Sequence, residues 1–538
     1  MVRIKKLFEL VIGYVVEPRR RARSICDRVR LLWVFVGKED HMRGRLNILF
    51  RWVIAGFFVV MVLMLFEKSL EASVVLGTFH QGKGKVEADA KVIYRYEFWN
   101  WFEPTPQPND DNTYGYCFTR TLFGLRLTLP NIGAYFQGQN AFMWNLPDDA
   151  VALPPGGPMG AGAVYYAHGG HKTYGSTIIR QLYLEIPHFF LKGLFVRGGR
   201  FDYADSMEVT YDNPKVNWLK EMRLAERLIG PFTWSSFNRS FDGVKLGYDR
   251  TGFNFTSIVV HPTQGGFEND AHNTIEGIDL ATLTFTMKYD QWISNTESRL
   301  FYFYYHDNRN IPKVDNITVS NPQDIEIHSF GFHLLGTANI GSGVADGILW
   351  GVFQTGDWGK FDHEAWAALA ELGYQWVGVP WTPWVRIGYH ISSGDSDPND
   401  GKHGTFYQMV PTVRKYALFP FFNQMNNEDV FLQAILKPWQ KLVVRTDCHY
   451  LRLQDRDDRW YMGAGPTRER GNIFGYVGRP SLGGATLGTL LDLTLVYTIN
   501  KYSSVVLYGG HVFGGDVLEN IYRDKNGNMA YCELTFKF

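Results

Sequence analysis

Arginines on one parity of short alternating stretches are the residues in this sequence best placed to do chemistry. Arg120 and Arg126 share a face of the stretch Tyr116–Leu129. Arg95 beside Glu97, Arg200 beside Asp202, Lys245, Arg386, Arg445 beside Asp447, and Asp492 take the corresponding place in other stretches, as do Lys288, Arg299, Glu371 and Glu533. A guanidinium is a planar fork that matches a carboxylate in two parallel hydrogen bonds. Arginines lining a confined passage give it a positive potential and select anions. The competing expectation is that Arg and Asp neighbours form ion-pair ladders that stiffen a wall.

Other chemistries find little support. No GxSxG nucleophile motif is present, and Ser392, His390 and His449 do not make a recognisable set, so no enzyme is expected. Cys26, Cys117, Cys448 and Cys532 include no CxxC pair, so neither a metal nor a cofactor is expected. The run Ser393–Lys402 weakly resembles a calcium loop through Asp395, Asp397 and Asn399, but Phe406 stands where a closing Glu belongs. An ordered loop of Asx turns is the expectation there. With Lys+Arg 54 against Asp+Glu 54, no nucleic-acid partner is expected.

The elements that must position the arginines read as strands. In Met529–Phe538, residues Ala530, Cys532, Leu534, Phe536 and Phe538 fall on one parity, and Tyr531, Glu533, Thr535 and Lys537 on the other. That is period two, with one apolar and one polar face. A terminal strand of this kind suits a transmembrane barrel, whose last strand pairs with its first and leaves no edge in lipid. Bacterial outer-membrane barrels commonly end on Phe, where the assembly machinery reads the strand; Phe538 fits. The pattern repeats from Lys91–Phe102 through Ser503–Phe513 to give about 18 strands, an even count as in bacterial barrels. Aromatics at 16% and 55 glycines agree. A lone charge facing lipid costs about 2–4 kcal/mol at midplane, so the charged parity should face the lumen. Cys117, Cys448 and Cys532 then face lipid on the second, fifteenth and eighteenth strands, as free thiols.

The fold expected is all-β: an antiparallel up-and-down transmembrane barrel over 90–538, a periplasmic lead over 73–89, and a basic extension with a signal sequence over 1–72. Arg43, Arg45 and Arg51 precede the apolar run Trp52–Phe66, and cleavage is placed near Ala72, with Met42 as an alternative start. Short turns alternate with long polar loops, which places both chain ends in the periplasm. Pro214–Ile229 has helical spacing through Trp218, Met222, Ala225 and Ile229, and is expected as a helix in a surface loop.

Four stretches in order resemble the alginate export family of outer-membrane porins: Arg227–Phe232 with Arg239–Val244, Ser393–Lys402 with Gly404–Phe406, Gly488–Leu495, and His511–Asp516. Tyr94–Glu97 and Gly198–Phe201 also fit. The resemblance covers roughly 88–538. It implies an 18-stranded barrel with an Arg-lined lumen that exports an anionic polysaccharide, with outer-membrane lipid and periplasmic export proteins as partners. The alginate exporter carries a long periplasmic loop near its C-terminal end; here the corresponding turn, Asn500-Lys501, is minimal. The function expected is passive passage of anionic polysaccharide or small anionic solutes. The alternatives are a non-specific porin and a barrel that scaffolds a surface complex.

Overall fold

The computed structural model describes residues 73–79, 82–104, 111–311, 324–469 and 476–538. The signal region, its cleavage near Ala72 and the alternative start Met42 lie outside the described residues. Eighteen antiparallel strands close into a barrel. In chain order they are β1 (Gly84–Asn100), β2 (Thr113–Thr128), β3 (Gly133–Trp144), β4 (Thr173–Ile186), β5 (Leu194–Phe201), β6 (Phe241–Asp249), β7 (Phe253–Pro262), β8 (Ile278–Met287) and β9 (Thr296–Asp307). The circuit continues with β10 (Ile325–Ile340), β11 (Gly343–Trp358), β12 (Phe361–Trp376), β13 (Trp384–Ser392), β14 (Glu428–Trp439), β15 (Leu442–Arg452), β16 (Thr486–Asn500), β17 (Ser503–Gly514) and β18 (Gly527–Lys537). Among the described residues no helix is long and apolar enough to cross a membrane. The crossing is made by strands.

β18 pairs with β1 from Lys537↔Lys91 to Asn528↔Asn100. The seam runs to the last residue: Ala90 N–H donates to Phe538 O at 2.8 Å, and Phe538 N–H donates to Ala90 O at 2.9 Å. No strand edge is left at the seam, as a lipid environment requires. The alternation read in the sequence becomes two faces. Val259, Leu283, Leu300, Leu349 and Leu372 stand exposed on the outer wall, and their chain neighbours are buried inside.

The barrel begins earlier than residue 90. Lys85, Glu87 and Asp89 alternate with Val86, Ala88 and Ala90, so the polar lead is itself period two and joins β1. A short strand, Val74–Phe79, folds back on it antiparallel, with Val74 opposite Ala88 and Phe79 opposite Gly84. The expected lead is therefore a β-hairpin continuous with the wall.

Short turns close one end of the barrel, which also holds the start of β1 and the end of β18. Long segments leave the other end. Two of them do not stay on the surface. Residues 202–240, between β5 and β6, and residues 393–427, between β13 and β14, turn into the lumen. The helix expected at the surface forms over Pro214–Leu219 and continues as one wider turn, Lys220–Leu224. Asn213 caps it, its side-chain oxygen accepting from Lys215 N–H at 3.0 Å, and Pro214 follows at the first helical position. Its location corrects the sequence reading. Val216, Leu219, Leu224, Leu228 and Ile229 are fully buried against inward residues such as Phe303, Ile327, Leu335 and Trp350. Inward positions from β7 to β13 mix polar residues such as Glu297, Arg299 and Glu371 with many large apolar ones, which an open aqueous lumen does not require. They need an apolar partner, and the 202–240 segment supplies it.

Candidate functional site: the lumen and its inward loops

The plug helix reaches the short-turn end of the lumen. Lys215 Nζ donates to Gln375 Oε1 at 3.3 Å, near the last residues of β12, and sits 3.0 Å from Asp346 on β11. Arg386 from β13 meets the same Asp346 at 3.0 Å and Glu371 of β12 at 2.6 Å. Arg223 lies 2.8 Å and Arg227 3.8 Å from Glu371. Four cations thus meet two carboxylates in one buried cluster, an excess of positive charge. Burial pulls the Arg227 guanidinium down to about 10, which leaves it charged at neutral pH. Beside it, Lys220 is 2.6 Å and His333 2.9 Å from Glu297, and Tyr211 hydroxyl donates to the same carboxylate. Arg299 of β9 takes Asp205 at 2.9 Å and Glu208 at 2.7 Å from the start of the segment.

A second cluster lies across the lumen, where the seam strands face both inward loops. Arg95 of β1 bonds Glu533 of β18 at 2.5 Å and Glu97 at 3.2 Å. It also donates to Trp234 O at 3.0 Å. Among the described residues Arg120 of β2 reaches no carboxylate: it donates to Ser235 O at 2.5 Å and Thr233 O at 2.8 Å. Arg414, from the 393–427 loop, is buried among Trp234, Tyr508 and Tyr531, with its guanidinium carbon 4.3, 5.2 and 5.5 Å from their ring centres. Among the described residues none of its three guanidinium nitrogens has a hydrogen-bond partner. A buried cation with five idle N–H donors, held only by aromatic faces, is an incomplete site for an anion.

The residues singled out from the sequence fall into three groups. Arg95, Arg120, Arg126, Lys245, Arg386, Arg445, Asp447 and Asp492 all point inward. Arg126 lies over the Tyr135 ring at 4.4 Å, Arg445 is 2.9 Å from Asp447, and Asp492 accepts from Tyr508 hydroxyl. Lys245 pairs in register with Ile258, whose side chain is buried. Asp202 follows the end of β5 and holds Arg180. Arg200 breaks the pattern. It sits opposite Leu182, which is half exposed on the outer wall, and opposite Asp242 of β6, which it binds twice at 2.7 Å. The reason is the alternation of β5 itself: Arg200 shares its parity with Val196 and Gly198, which pair with Ile186 and Leu184, both exposed on the outer wall. Lys288 lies past the end of β8 and pairs with Asp249 at 2.9 Å. The Asp-rich loop is a chain of Asx turns: Asp397 N–H donates to Asp395 Oδ1 at 3.2 Å, and Asn399 N–H to Asp397 Oδ1 at 3.0 Å. Among the described residues no three His, Cys, Asp or Glu side chains are grouped to hold a metal.

Lys215, Arg223, Trp234 and Arg414 escaped sequence reading because their segments pass for surface loops. A signal was present. Phe406–Phe422 carries eleven apolar or aromatic residues against two charges, a composition that a solvated loop does not need.

A model of the family described as alginate export matches residues 175–531. The chain belongs to the alginate export family. The match runs from near the start of β4 into β18 and takes in both inward loops. Among solved structures, the chain resembles the outer-membrane protein OpdK of Pseudomonas aeruginosa, with TM-score 0.50, 10% identity, and coverage of 84% of this chain and 98% of that one. OccK2 (OpdF) of the same organism, crystallised with glucuronate, gives TM-score 0.50, 8% identity and the same coverage. At such identities the likeness is one of fold. No curated protein sequence matches the chain. This alginate export family member is an outer-membrane channel-type barrel, its lumen narrowed by its own loops.

Proposed function

We propose that this barrel passes anionic saccharides or small anionic carboxylates by passive diffusion through a lumen narrowed by the 202–240 and 393–427 loops. The bare guanidinium of Arg414 carries the reading. It lies in a cluster with Arg95 and Arg120, where Glu97 and Glu533 take Arg95 and Asp492 lies behind Tyr508, so no carboxylate bonds Arg414 among the described residues. A carboxylate entering there meets two-pronged donors and aromatic faces, the contacts that suit a uronate ring. The family match supports the same substrate class, as does the crystallisation of OccK2 with glucuronate. Apolar packing of two loops against the inner wall argues against a wide, non-specific porin.

Single-channel recording in planar bilayers tests this. The expected result is a small conductance, anion-preferring reversal potentials, and current block by glucuronate or an oligouronate added to the bath. Cation preference, or a large conductance indifferent to uronate, would overturn it. Complete absence of conductance with intact loops and after their deletion would favour the scaffold role.

A further inference from the structure

The barrel wall has a notch between β4 and β5. β5 is 8 residues long, whereas a tilted strand needs about 9–11 to cross a bilayer. It pairs with β4 only from Ile186↔Val196 to Leu182↔Arg200. Above Leu182, Thr173–Gln181 of β4 pairs with β3 alone. The chain leaves the wall at Asp202 and turns into the lumen. Side chains take the place of the missing strand. Arg200 donates to Ile179 O at 3.2 Å and to His272 O at 2.8 Å, and Ser240 hydroxyl donates to Arg180 O at 2.7 Å. Ser176 hydroxyl reaches Asp270 at 3.2 Å. An open sheet edge facing hydrocarbon is costly, so a barrel that keeps one closed only by side chains is unusual.

The notch lies within the membrane. Arg200 is six residues above Leu194 at the base of β5, or roughly 15 Å along the normal at about 3.3 Å per residue and about 40° of tilt. The apolar band of such barrels is about 25 Å tall. Arg200 and Asp242 therefore face lipid well inside that band, as a closed pair. Against them, on the outer wall, opens a groove of about 580 Å³. Ile179, Leu182 and Val244 edge it, Gly198 and Gly199 floor it, and His272 stands at its rim. Gly198 matters here: a Cβ added to it would touch nothing within 4 Å, so its missing side chain leaves the groove open. Behind the Arg200–Asp242 pair lie lumen groups, Arg180, Gln137 and Asp202.

We propose that the notch is a lateral portal, latched by Arg200, which Asp242 holds on one side and which crosses to Ile179 O of β4 on the other, and through which a saccharide bearing a hydrocarbon chain passes between bilayer and lumen. The chain lies in the glycine-floored groove and the polar part enters beside Arg180. The proposal rests on the channel reading of the lumen, which reversal potentials test separately. The apolar groove suits a hydrocarbon chain, and the polar groups behind the latch suit a saccharide.

The test uses the whole barrel in lipid nanodiscs, with Cys26, Cys117, Cys448 and Cys532 changed to Ser and one bimane-labelled cysteine introduced. The probe is a dodecyl glucoside brominated in its chain. At Gly198→Cys, quenching should saturate at a mole fraction at least tenfold lower than at the lipid-facing control Leu283→Cys. At Gln137→Cys, on the lumen side, quenching should rise at least threefold when Arg200→Ala or Arg200→Lys opens the latch. Identical dose curves at Gly198→Cys and Leu283→Cys would overturn the proposal. So would an unlatched barrel that folds, by its heat-modifiable migration, yet leaves Gln137→Cys unquenched. Arg200→Lys keeps the charge but loses the fork, so it serves if Arg200→Ala does not assemble.

Discussion

Arg95 and Arg414 share one aromatic ring: each guanidinium carbon lies 4.3 Å from the centre of Trp234. Arg95 belongs to the wall, Trp234 to the 202–240 segment and Arg414 to the 393–427 loop. One indole therefore ties both inward loops to the seam strand. Arg95 is satisfied by Glu97 and Glu533, while among the described residues Arg414 has no acidic partner in contact. Arg414→Ala should lower anion preference in reversal-potential measurements. The loss should be larger at 0.01 M salt, where the Debye length is about 30 Å, than at 0.1 M, where it is about 10 Å. Its cation–π contacts contribute about 0.5–2 kcal/mol, so the variant should still fold. Unchanged selectivity would mean that Arg414 only packs.

Replacing Arg120, Arg126 and Arg445 together with Ala should also weaken anion preference. The three contribute unequally. Arg445 is held by Asp447 at 2.9 Å, so its removal exposes a carboxylate as well as deleting a cation. Arg120 has no acidic partner in contact and should account for more of the change than Arg126. Single variants compared in the same bilayer assay give the order.

Glu371 is the hinge pin of the plug. It meets Arg223, Arg227 and Arg386, and none of its carboxylate is exposed. Glu371→Ala leaves three buried guanidinium groups without that anion, and breaking a buried pair costs about 3–5 kcal/mol. Lower resistance to urea in detergent, with longer-lived open events in bilayers, is the expected outcome. Replacing residues 213–224 by a Gly-Ser linker should raise conductance several-fold with the strand pairing intact. A conductance unaltered by that replacement would show that the plug does not limit flow.

Asp458 gives a pH dependence outside the membrane. It accepts from Thr405 hydroxyl at 2.7 Å, Asp395 N–H at 3.0 Å and Tyr461 hydroxyl at 2.8 Å. Burial nevertheless pushes its carboxyl up to about 7. The folded state then holds the proton more tightly than the unfolded chain. The associated stability is fully present below the ordinary carboxylate range and is lost as pH rises through about 7. Protease cleavage in the 393–427 loop should therefore increase as pH rises from about 5 to about 8, across the folded value of about 7. Asp458→Asn should flatten that increase. A cleavage rate with the same pH profile in both proteins would rule out Asp458 as its source.

The three cysteines of the barrel are free thiols on the outward parity. Cys448 pairs in register with Leu432 and Leu491, both exposed on the outer wall. A membrane-impermeant maleimide should fail to label it in intact outer membranes, and a lipid-soluble one should succeed. Cys117 is buried, with Tyr94 hydroxyl 3.6 Å from its sulfur, and should label slowest. Fast labelling of Cys448 by the impermeant reagent would reverse the assignment of faces.

The strands were legible in the sequence because period two is a local property. Lipid on one side and packed side chains on the other leave each inward or outward choice visible in the residue itself. Each of the strands expected from alternation is present, and Met529–Phe538 closes on β1 with the parity its residues imply. A charge by itself does not mark the inward face: Arg200 lies on the parity of Val196 and Gly198, whose partners Ile186 and Leu184 are exposed on the outer wall, and Asp242 beside it makes that place tolerable in lipid. What lies inside the barrel was decided only by the tertiary structure. Pro214–Leu224 has the same helical spacing whether it rests on a surface or in a lumen, because periodicity records that one face is buried but not what covers it. Its cover is the apolar inner wall of β7 to β13, brought together from residues far apart in the chain. The free guanidinium of Arg414 is likewise invisible in sequence, since an arginine acquires or lacks a carboxylate only when two loops and a seam strand meet in space.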